Sequence, residues 1–316
     1  MAGDATLPGA PKCVKRHTSD HHAGRLTGVR TGVAAAGSVA AVPAPLDADA
    51  VRTALTGTRF ADVRVVAETG STNADVRDLA RAGEPEGVVV VAEHQTAGRG
   101  RLDRTWTAPA GASLLLSILS RPGSSLGLAA DQLFLVSCAV GVASAEAARD
   151  ASGADVRLKW PNDLVVDHDG GSRKLSGILA EAVLAGDQVE ALVVGIGVNV
   201  NWPVELPADL ASIAIALNHL AGQDLDRDAL LASFLRSFDR WYTELATPAG
   251  QTRLRTRYRE LSATLGRRIR VELDGETIVG DAVDLTLDGH LLVVDDCPDR
   301  PREITAGDVV HVRPAG

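Results

Sequence analysis

The sequence predicts an α+β protein organised on a mixed sheet, with a small all-β unit at its C-terminal end. Short apolar runs of strand length lie close together in residues 62–120 and 156–195, some joined by hairpin-like turns such as Ala185-Gly186-Asp187-Gln188. Helical patterns are segregated, most of them within 210–261, instead of alternating regularly with the strands. After Gly266 the pattern changes to short strands separated by Asp274-Gly275 and Asp288-Gly289. A chain of 316 residues is long for a single core, and two domains are expected. The expected organisation is a disordered tail over 1–44, a main domain over 45–264 and a barrel over 265–316.

The tail is rich in Ala, Gly, Pro, Thr and Val without periodicity, and Lys12, Lys15, Arg16, Arg25 and Arg30 outnumber Asp4 and Asp20. Asp47 and Asp49 supply first-turn acids for a short helix ending near Leu55. A strand over 62–68 runs through Val63, Val65 and Val66, and Gly70-Ser71-Thr72-Asn73 then turns the chain into a helix, with Ser71 or Thr72 as its N-cap. Strands follow over 88–93 and 113–120, then a helix over 130–151 that is apolar nearly all round and hence buried. A strand over 156–160 leads into Pro161-Asn162-Asp163, read as a turn, before the paired strands 173–183 and 190–195. Helices are expected over 210–221, 227–245 and 251–261; Leu230, Leu231, Phe234, Leu235, Phe238, Trp241 and Tyr242 form a core stripe on the second. The barrel strands are 268–273, 277–286, 290–295 and 309–312.

Composition narrows the function. Hydrophobic residues make up 45% and charged residues 23%, ordinary for a globular chain, but aromatics are only 3%, so the core rests on Ala, Val, Leu and Ile. A net charge of −9 argues against nucleic-acid binding through a broad basic surface and leaves room for a small basic pocket. Cys13, Cys138 and Cys297 are far apart and show no metal or redox spacing, which fits a reducing, cytoplasmic compartment. The close histidine grouping, His17 with His21 and His22, lies in the tail, so no structural metal site is expected. No run reaches the ~18 consecutive apolar residues of a membrane span.

The chemistry gathers in a few segments. His94-Gln95-Thr96-Ala97-Gly98-Arg99-Gly100-Arg101 follows an apolar strand directly. Gly98 and Gly100 allow close backbone approach to a ligand, and Arg99 and Arg101 carry permanent charges whose forked donors match carboxylate or phosphate oxygens. This reads as a cationic, anion-binding flap. Gly70 to Asn73 places free helix N–H groups beside a glycine, a small-ligand or anion site. Lys174 has apolar neighbours, Leu175, Ile178 and Leu179, and is expected to point its ammonium from a strand into a pocket; Lys159 beside Trp160 is ambiguous between pocket and solvent. Asp163 could hold Mg²⁺, orient an amine or simply close a turn. Gly195-Ile196-Gly197-Val198-Asn199 lacks the third glycine and the following acid of a dinucleotide fingerprint.

Together, GSTN at 70–73, AEHQTAGRGR at 92–101, KWPNDL at 159–164, RKLSGILAE at 173–181 and GIGVNV at 195–200 resemble the bacterial biotin–protein ligases, the biotin–[acetyl-CoA-carboxylase] ligase family. The resemblance implies a catalytic domain related to class II aminoacyl-tRNA synthetases and lipoate ligases, followed by an SH3-like barrel. It also implies the chemistry. The biotin carboxylate attacks the α-phosphate of ATP to give biotinyl-5′-AMP, and a lysine of a biotin carboxyl carrier protein then displaces AMP. By the same resemblance Lys174, Arg101 and Arg99 are catalytic, and Ser71, Thr72, Asn73, Gln95, Gly98 and Gly100 join them in holding biotin. Trp106, Asn162, Asp163 and Asn199, with Arg101, match the nucleotide side. Mg²⁺ is expected with the triphosphate, while no protein cluster of metal ligands is visible. Two departures stand out. Asp103 replaces a glycine common at that place, adding negative charge beside the arginines at a position suited to left-handed backbone. No recognition helix is found ahead of Gly70, so the N-terminal DNA-binding domain of some relatives is expected to be absent, and nucleic acid and membrane are not expected partners. An acidic surface with no obvious exposed stripe fits either a monomer or a homodimer.

Overall fold

The computed structural model describes residues 44–273, 275–295, 300–305 and 307–311. The readings made for the tail up to residue 43, for Cys13 and Cys297, for Asp274 and for the last strand beyond His311 lie outside the described residues.

In chain order the elements are α1 Ala48–Ala54, β1 Asp62–Thr69, α2 Thr72–Arg81, β2 Val88–Gln95, β3 Ser113–Ser120, α3 Pro122–Leu126, α4 Phe134–Ser152, β4 Arg157–Lys159, β5 Asp163–His168, β6 Gly171–Ala185 and β7 Gln188–Asn199. They continue with α5 Ala208–Ala211, α6 Leu217–Ala221, α7 Arg227–Glu244, α8 Pro248–Leu261, β8 Arg268–Leu273, β9 Glu276–Leu285, β10 Leu291–Asp295, β11 Arg302–Ile304 and β12 Asp308–His311. Strands β1 to β7 form one sheet in the order β1-β2-β3-β7-β6-β5-β4. It is mixed, as expected: β1 and β2 run parallel, and the remaining neighbours are antiparallel.

One face of this sheet carries the main core. Helix α4 lies there with α7 and α8, burying Leu135, Val136, Val140 and Val142 against Leu114, Leu116, Val194 and Ile196. By length and composition α4 could cross a membrane, but its apolar side chains are spent inside this core. The other face is covered differently along its width. Helix α2 packs Val76 and Ala80 over Val88, Val90, Leu119, Val183 and Val193. Beyond α2, the sheet presents Gly177, Gly195 and Gly197, whose missing side chains leave a hollow. That hollow is where the site lies.

Strands β8 to β12 form a five-stranded antiparallel sheet, β11-β10-β9-β8-β12, the SH3-like C-terminal unit. Its apolar side chains Ile269, Val271, Leu291 and Val293 are continuous with the main core. The junction is hydrogen-bonded: Trp160 Nε1 donates to the Gly289 carbonyl at 3.1 Å and Arg255 to that of Leu287 at 2.9 Å. Gly289, at φ +87°, sits where a Cβ would come 2.6 Å from Phe134, so this turn takes glycine for both backbone and space.

Four readings of the sequence are corrected. Asp163 opens strand β5 and is not in a turn, because the segment after Pro161 pairs at once with β6. The helix expected over 210–221 is broken into α5 and α6: residues between them leave the helix so that Ala214 bridges Lys174 on β6. The short strand β11 and helix α3 were not expected. The strand expected to end at Gly195 runs on to Asn199 as β7, in keeping with the sequence reading that 195–199 is not a dinucleotide-binding loop.

Candidate active site

The segment after β2 folds as a small hairpin. Trp106 N–H donates to the Gly98 carbonyl at 2.9 Å and Gly100 N–H to that of Arg104 at 2.6 Å, with Arg99 bridged to Thr105. The tip closes through Arg104 N–H to the Arg101 carbonyl at 3.2 Å, and Leu102 and Asp103 both stand at positive φ, 54° and 56°. Asp103 therefore occupies a position glycine would take without strain; aspartate is among the residues that tolerate it best. Gly98 is required for a different reason, since a Cβ there would lie 2.5 Å from the Trp106 carbonyl.

Under the hairpin, the start of α2 meets the sheet. Ser71, at the N-cap position, makes no side-chain cap bond. Instead Gln95, at the end of β2, accepts from the Thr72 N–H at 2.8 Å. Thr72, Ser117 and Asn73 form a chain of short contacts, 2.7 Å between the two hydroxyls and 2.5 Å from Ser117 Oγ to Asn73 Oδ1. Asn73 Nδ2 donates to Glu181 at 2.6 Å and to the Leu179 carbonyl at 3.2 Å. With the single Ser117 proton committed to Asn73, the Thr72 hydroxyl is the donor in its contact with Ser117. The recess beside these groups, bounded also by Trp106, Gly177 and Gly197, is narrow, about 30 Å³.

Alongside lies a larger cleft of about 350 Å³, lined by Arg99, Arg101, Trp106, Lys159, Asn162, Asp163 and Lys174. Lys174 Nζ sits 2.7 Å from Asp163 and 5.5 Å from the Trp106 ring centroid. It does reach a pocket from its strand, yet its side chain is 39% exposed, so it is half-buried. Arg101 donates to Asn162 Oδ1 at 3.1 Å and to the Gly307 carbonyl at 3.4 Å, which ties the hairpin to the C-terminal unit; Val309 and Val310 line the cleft from there. Trp106 lies flat over glycines: Cβ atoms at Gly197 and Gly177 would come within 2.6 Å and 3.1 Å of its ring. Its Nε1 is buried without a partner.

The structure thus brings Ser71, Thr72, Asn73, Gln95 and Arg99 together in the recess, and Arg99, Gly100, Arg101, Trp106, Asn162, Asp163 and Lys174 together in the cleft. Gly98 lines neither, nor does Asn199. The asparagine is buried at the end of β7, its Nδ2 held by the Ile215 carbonyl at 3.0 Å and its Oδ1 unpaired. Sequence reasoning missed Ser117 and Glu181. Ser117 interrupts the apolar run of β3, a signal that was there to see; Glu181 closes the motif at 173–181 without any local cue to its partners. Among the described residues no group of three His, Cys, Asp or Glu side chains could hold a metal ion.

The chain matches the Biotin/lipoate A/B protein ligase family over residues 66–199 and the Biotin protein ligase C terminal domain over 264–312. It is 37% identical over 236 residues to a biotin–[acetyl-CoA-carboxylase] ligase of Mycobacterium tuberculosis, covering 72% of this chain and 80% of that one. It is 32% identical over 210 residues to the bifunctional ligase/repressor BirA of Bacillus subtilis, covering 66% of this chain and 62%, less than two thirds, of the relative. Among solved structures, a biotin protein ligase from Aquifex aeolicus in complex with biotin and ATP superimposes with a TM-score of 0.66 at 26% identity, over 80% of this chain and 99% of that one.

Proposed function

Because the chain belongs to the biotin/lipoate A/B protein ligase family, we propose that it is an ATP-dependent biotin–protein ligase, acting on a biotin carboxyl carrier protein or domain in the cytoplasm. The observation that carries the proposal is the meeting of two unlike environments under one hairpin: a recess lined by hydroxyl and amide groups, and beside it a cleft holding Arg99, Arg101 and Lys174. A bicyclic ureido ring needs groups like the first, and its entry into a recess of about 30 Å³ requires Trp106 and the hairpin to shift; a carboxylate reacting with a phosphate needs the second.

In this reading Ser71, Thr72, Asn73 and Gln95 face the ureido ring, Gly100 borders the cleft beside it, and Gly98 lets the hairpin close on the Trp106 carbonyl. The carboxylate of biotin then lies among Arg99, Arg101 and Lys174. Two anions repel one another, and fixed cations at the reacting centre both hold them together and offset the charge on the α-phosphate oxygens as pyrophosphate leaves. Trp106 supplies a flat wall, and Asn162 and Asp163 border the nucleotide. Mg²⁺ comes as part of the nucleotide substrate. In the second step the carrier amine attacks the mixed anhydride at the acyl carbon, AMP leaves, and the amine proton passes to solvent. Residues 45–264 would carry this chemistry, and 265–316 would close the cleft through Val309, Val310 and the Arg101 contact. Each of these side chains comes from one copy of the chain.

The recess also separates this reading from lipoate ligation on the same fold. Hydrogen-bonding groups sized for N–H and C=O partners are left unpaired by a dithiolane ring, a penalty that can reach about 10⁴-fold in specificity. The test is incubation with MgATP, a carrier domain and either biotin or lipoate, with mass detection of the acyl adenylate and of the modified lysine. Biotinyl-AMP and a biotinylated lysine are expected. Efficient lipoyl transfer without biotin transfer would overturn the reading.

A further inference from the structure

Glu181 is the point at which the recess and the hairpin are joined. It stands on β6 on the same face as Gly177 and Leu179, four and two residues back along the strand, and its side chain is 23% exposed. One of its oxygens accepts from Asn73 Nδ2 at 2.6 Å, and both lie 3.0 Å from Arg99 Nη2. Arg77 of α2 adds a second guanidinium at 3.6 Å. A single carboxylate thus draws together the helix that opens the recess and the hairpin that covers it.

Its effect on hydrogen-bond direction goes further than its contacts. An ionised carboxylate can only accept, so the amide it faces at residue 73 must turn its nitrogen outward and its oxygen inward. The inward oxygen then takes the Ser117 proton, and Ser117 in turn takes that of Thr72. The direction runs from Thr72 through Ser117 and Asn73 to Glu181, with the Thr72 hydroxyl also 3.2 Å from Gln95 Oε1; of the two hydroxyls Thr72 borders the recess, and its lone pairs are what remains for a ligand. We propose that Glu181 is a positioning residue for the ring-binding recess: by setting the direction of this chain it makes the recess accept hydrogen bonds from the N–H groups of a ureido ring, and by holding Arg99 it keeps the hairpin over that ring. This rests on the assignment of biotin as the acid substrate.

Glu181→Gln keeps the shape and removes the obligation to accept. Its own amide can face Asn73 either way round, and the direction of the chain is lost. The expected result is a rise of at least tenfold in KM for biotin, matched by the Kd from calorimetry. KM for ATP should stay within about threefold, and the rate of lysine transfer from supplied biotinyl-AMP should fall less than the affinity for biotin does. The double variant Asn73→Asp with Glu181→Gln re-creates a carboxylate facing an amide donor, with Ser117 still donating. It should recover the part of the biotin affinity that the direction of the chain supplies, while Arg99 stays without its carboxylate partner. A uniform loss across biotin, ATP and transfer, or no recovery in the double variant, would overturn the proposal, as would a Glu181→Gln variant with the parent's KM for biotin. The unmodified chain is run alongside: if it forms no biotinyl-AMP, the functional reading fails and this inference with it, whereas normal activity with an unaffected Glu181→Gln variant removes this inference alone.

Discussion

Replacing Gly195 with alanine is the smallest change that reaches the heart of the recess. The glycine lies on β7 at ordinary strand φ, so the backbone accepts alanine; the obstacle is space. A Cβ there would lie 2.0 Å from Asn73 Oδ1, 2.9 Å from its Cγ and 3.2 Å from its Nδ2. The amide has to retreat by more than about 1 Å before these contacts become ordinary. It is held in place by Ser117 at 2.5 Å and Glu181 at 2.6 Å, and neither bond survives such a shift. A neutral hydrogen bond of this kind contributes about 1 kcal/mol and one to a charged group about 2 kcal/mol, so a loss of about 3 kcal/mol is expected. The same shift scrambles the surface that meets the ring. Urea unfolding monitored by circular dichroism gives the first quantity and calorimetric titration with biotin the second, where at least a hundredfold weaker binding is expected. Gly70→Ala is the control, since a Cβ there meets nothing within 4 Å. If Gly195→Ala proves as stable as this control and binds biotin with unchanged affinity, the packing argument is wrong.

Three further outcomes follow from the geometry. Lys174→Ala should slow pyrophosphate release by about 10²–10³ through loss of a cation at the reacting centre, yet change stability by less than about 1 kcal/mol because its pair with Asp163 is partly exposed; near-normal pyrophosphate release would remove Lys174 from the catalytic set. Arg101→Gly cuts the ties to Asn162 and the Gly307 carbonyl, so biotinyl-AMP should escape and modify stray lysines, whereas unchanged adenylate retention and lysine selectivity would count against a latch. The Glu146 carboxyl is pushed up by burial, but bonds from Trp241, Ser237 and Arg257 and the charge of Arg240 outweigh this and hold it below its usual 4.5. Its contribution is therefore present above the unfolded value and lost as pH falls through the lower folded one. Glu146→Gln should cost about 2 kcal/mol at pH 7 and progressively less below about pH 4 in urea titrations; a pH-independent gap would refute the assignment.

Burial also pushes the Cys138 thiol up to about 12, against the opposing charge of Arg255. It lies in the core beside α8 and the turn at Gly289, and acts as a small packing group, in line with the absence of metal or redox spacing around it.

What the sequence by itself determined is what depends on near neighbours. Apolar period distinguished most strands from helices, from the buried α4 to the core stripe of α7, because one face repeats within a few residues. The chemistry of the hairpin was equally local: Gly98, Arg99, Gly100 and Arg101 announce a tight, cationic loop, and Asp103 marks a left-handed position two residues on. Tertiary structure decided what each of these groups touches. The break between α5 and α6 exists because Ala214 leaves the helix to pair with Lys174, forty residues earlier, and helix propensity carries no record of that partner. Asp163 became a strand residue paired to Lys174 because β5 closes on β6, although Pro161-Asn162 locally favours a turn. Glu181 and Ser117 acquire their meaning only when β6, β3 and α2 converge on Asn73, across separations of 108 and 44 residues. Arg101 reaches the C-terminal unit across 206 residues. Local sequence sets which groups can donate, accept or carry charge; only long-range packing determines which of them face one another, and with what direction of hydrogen bonding.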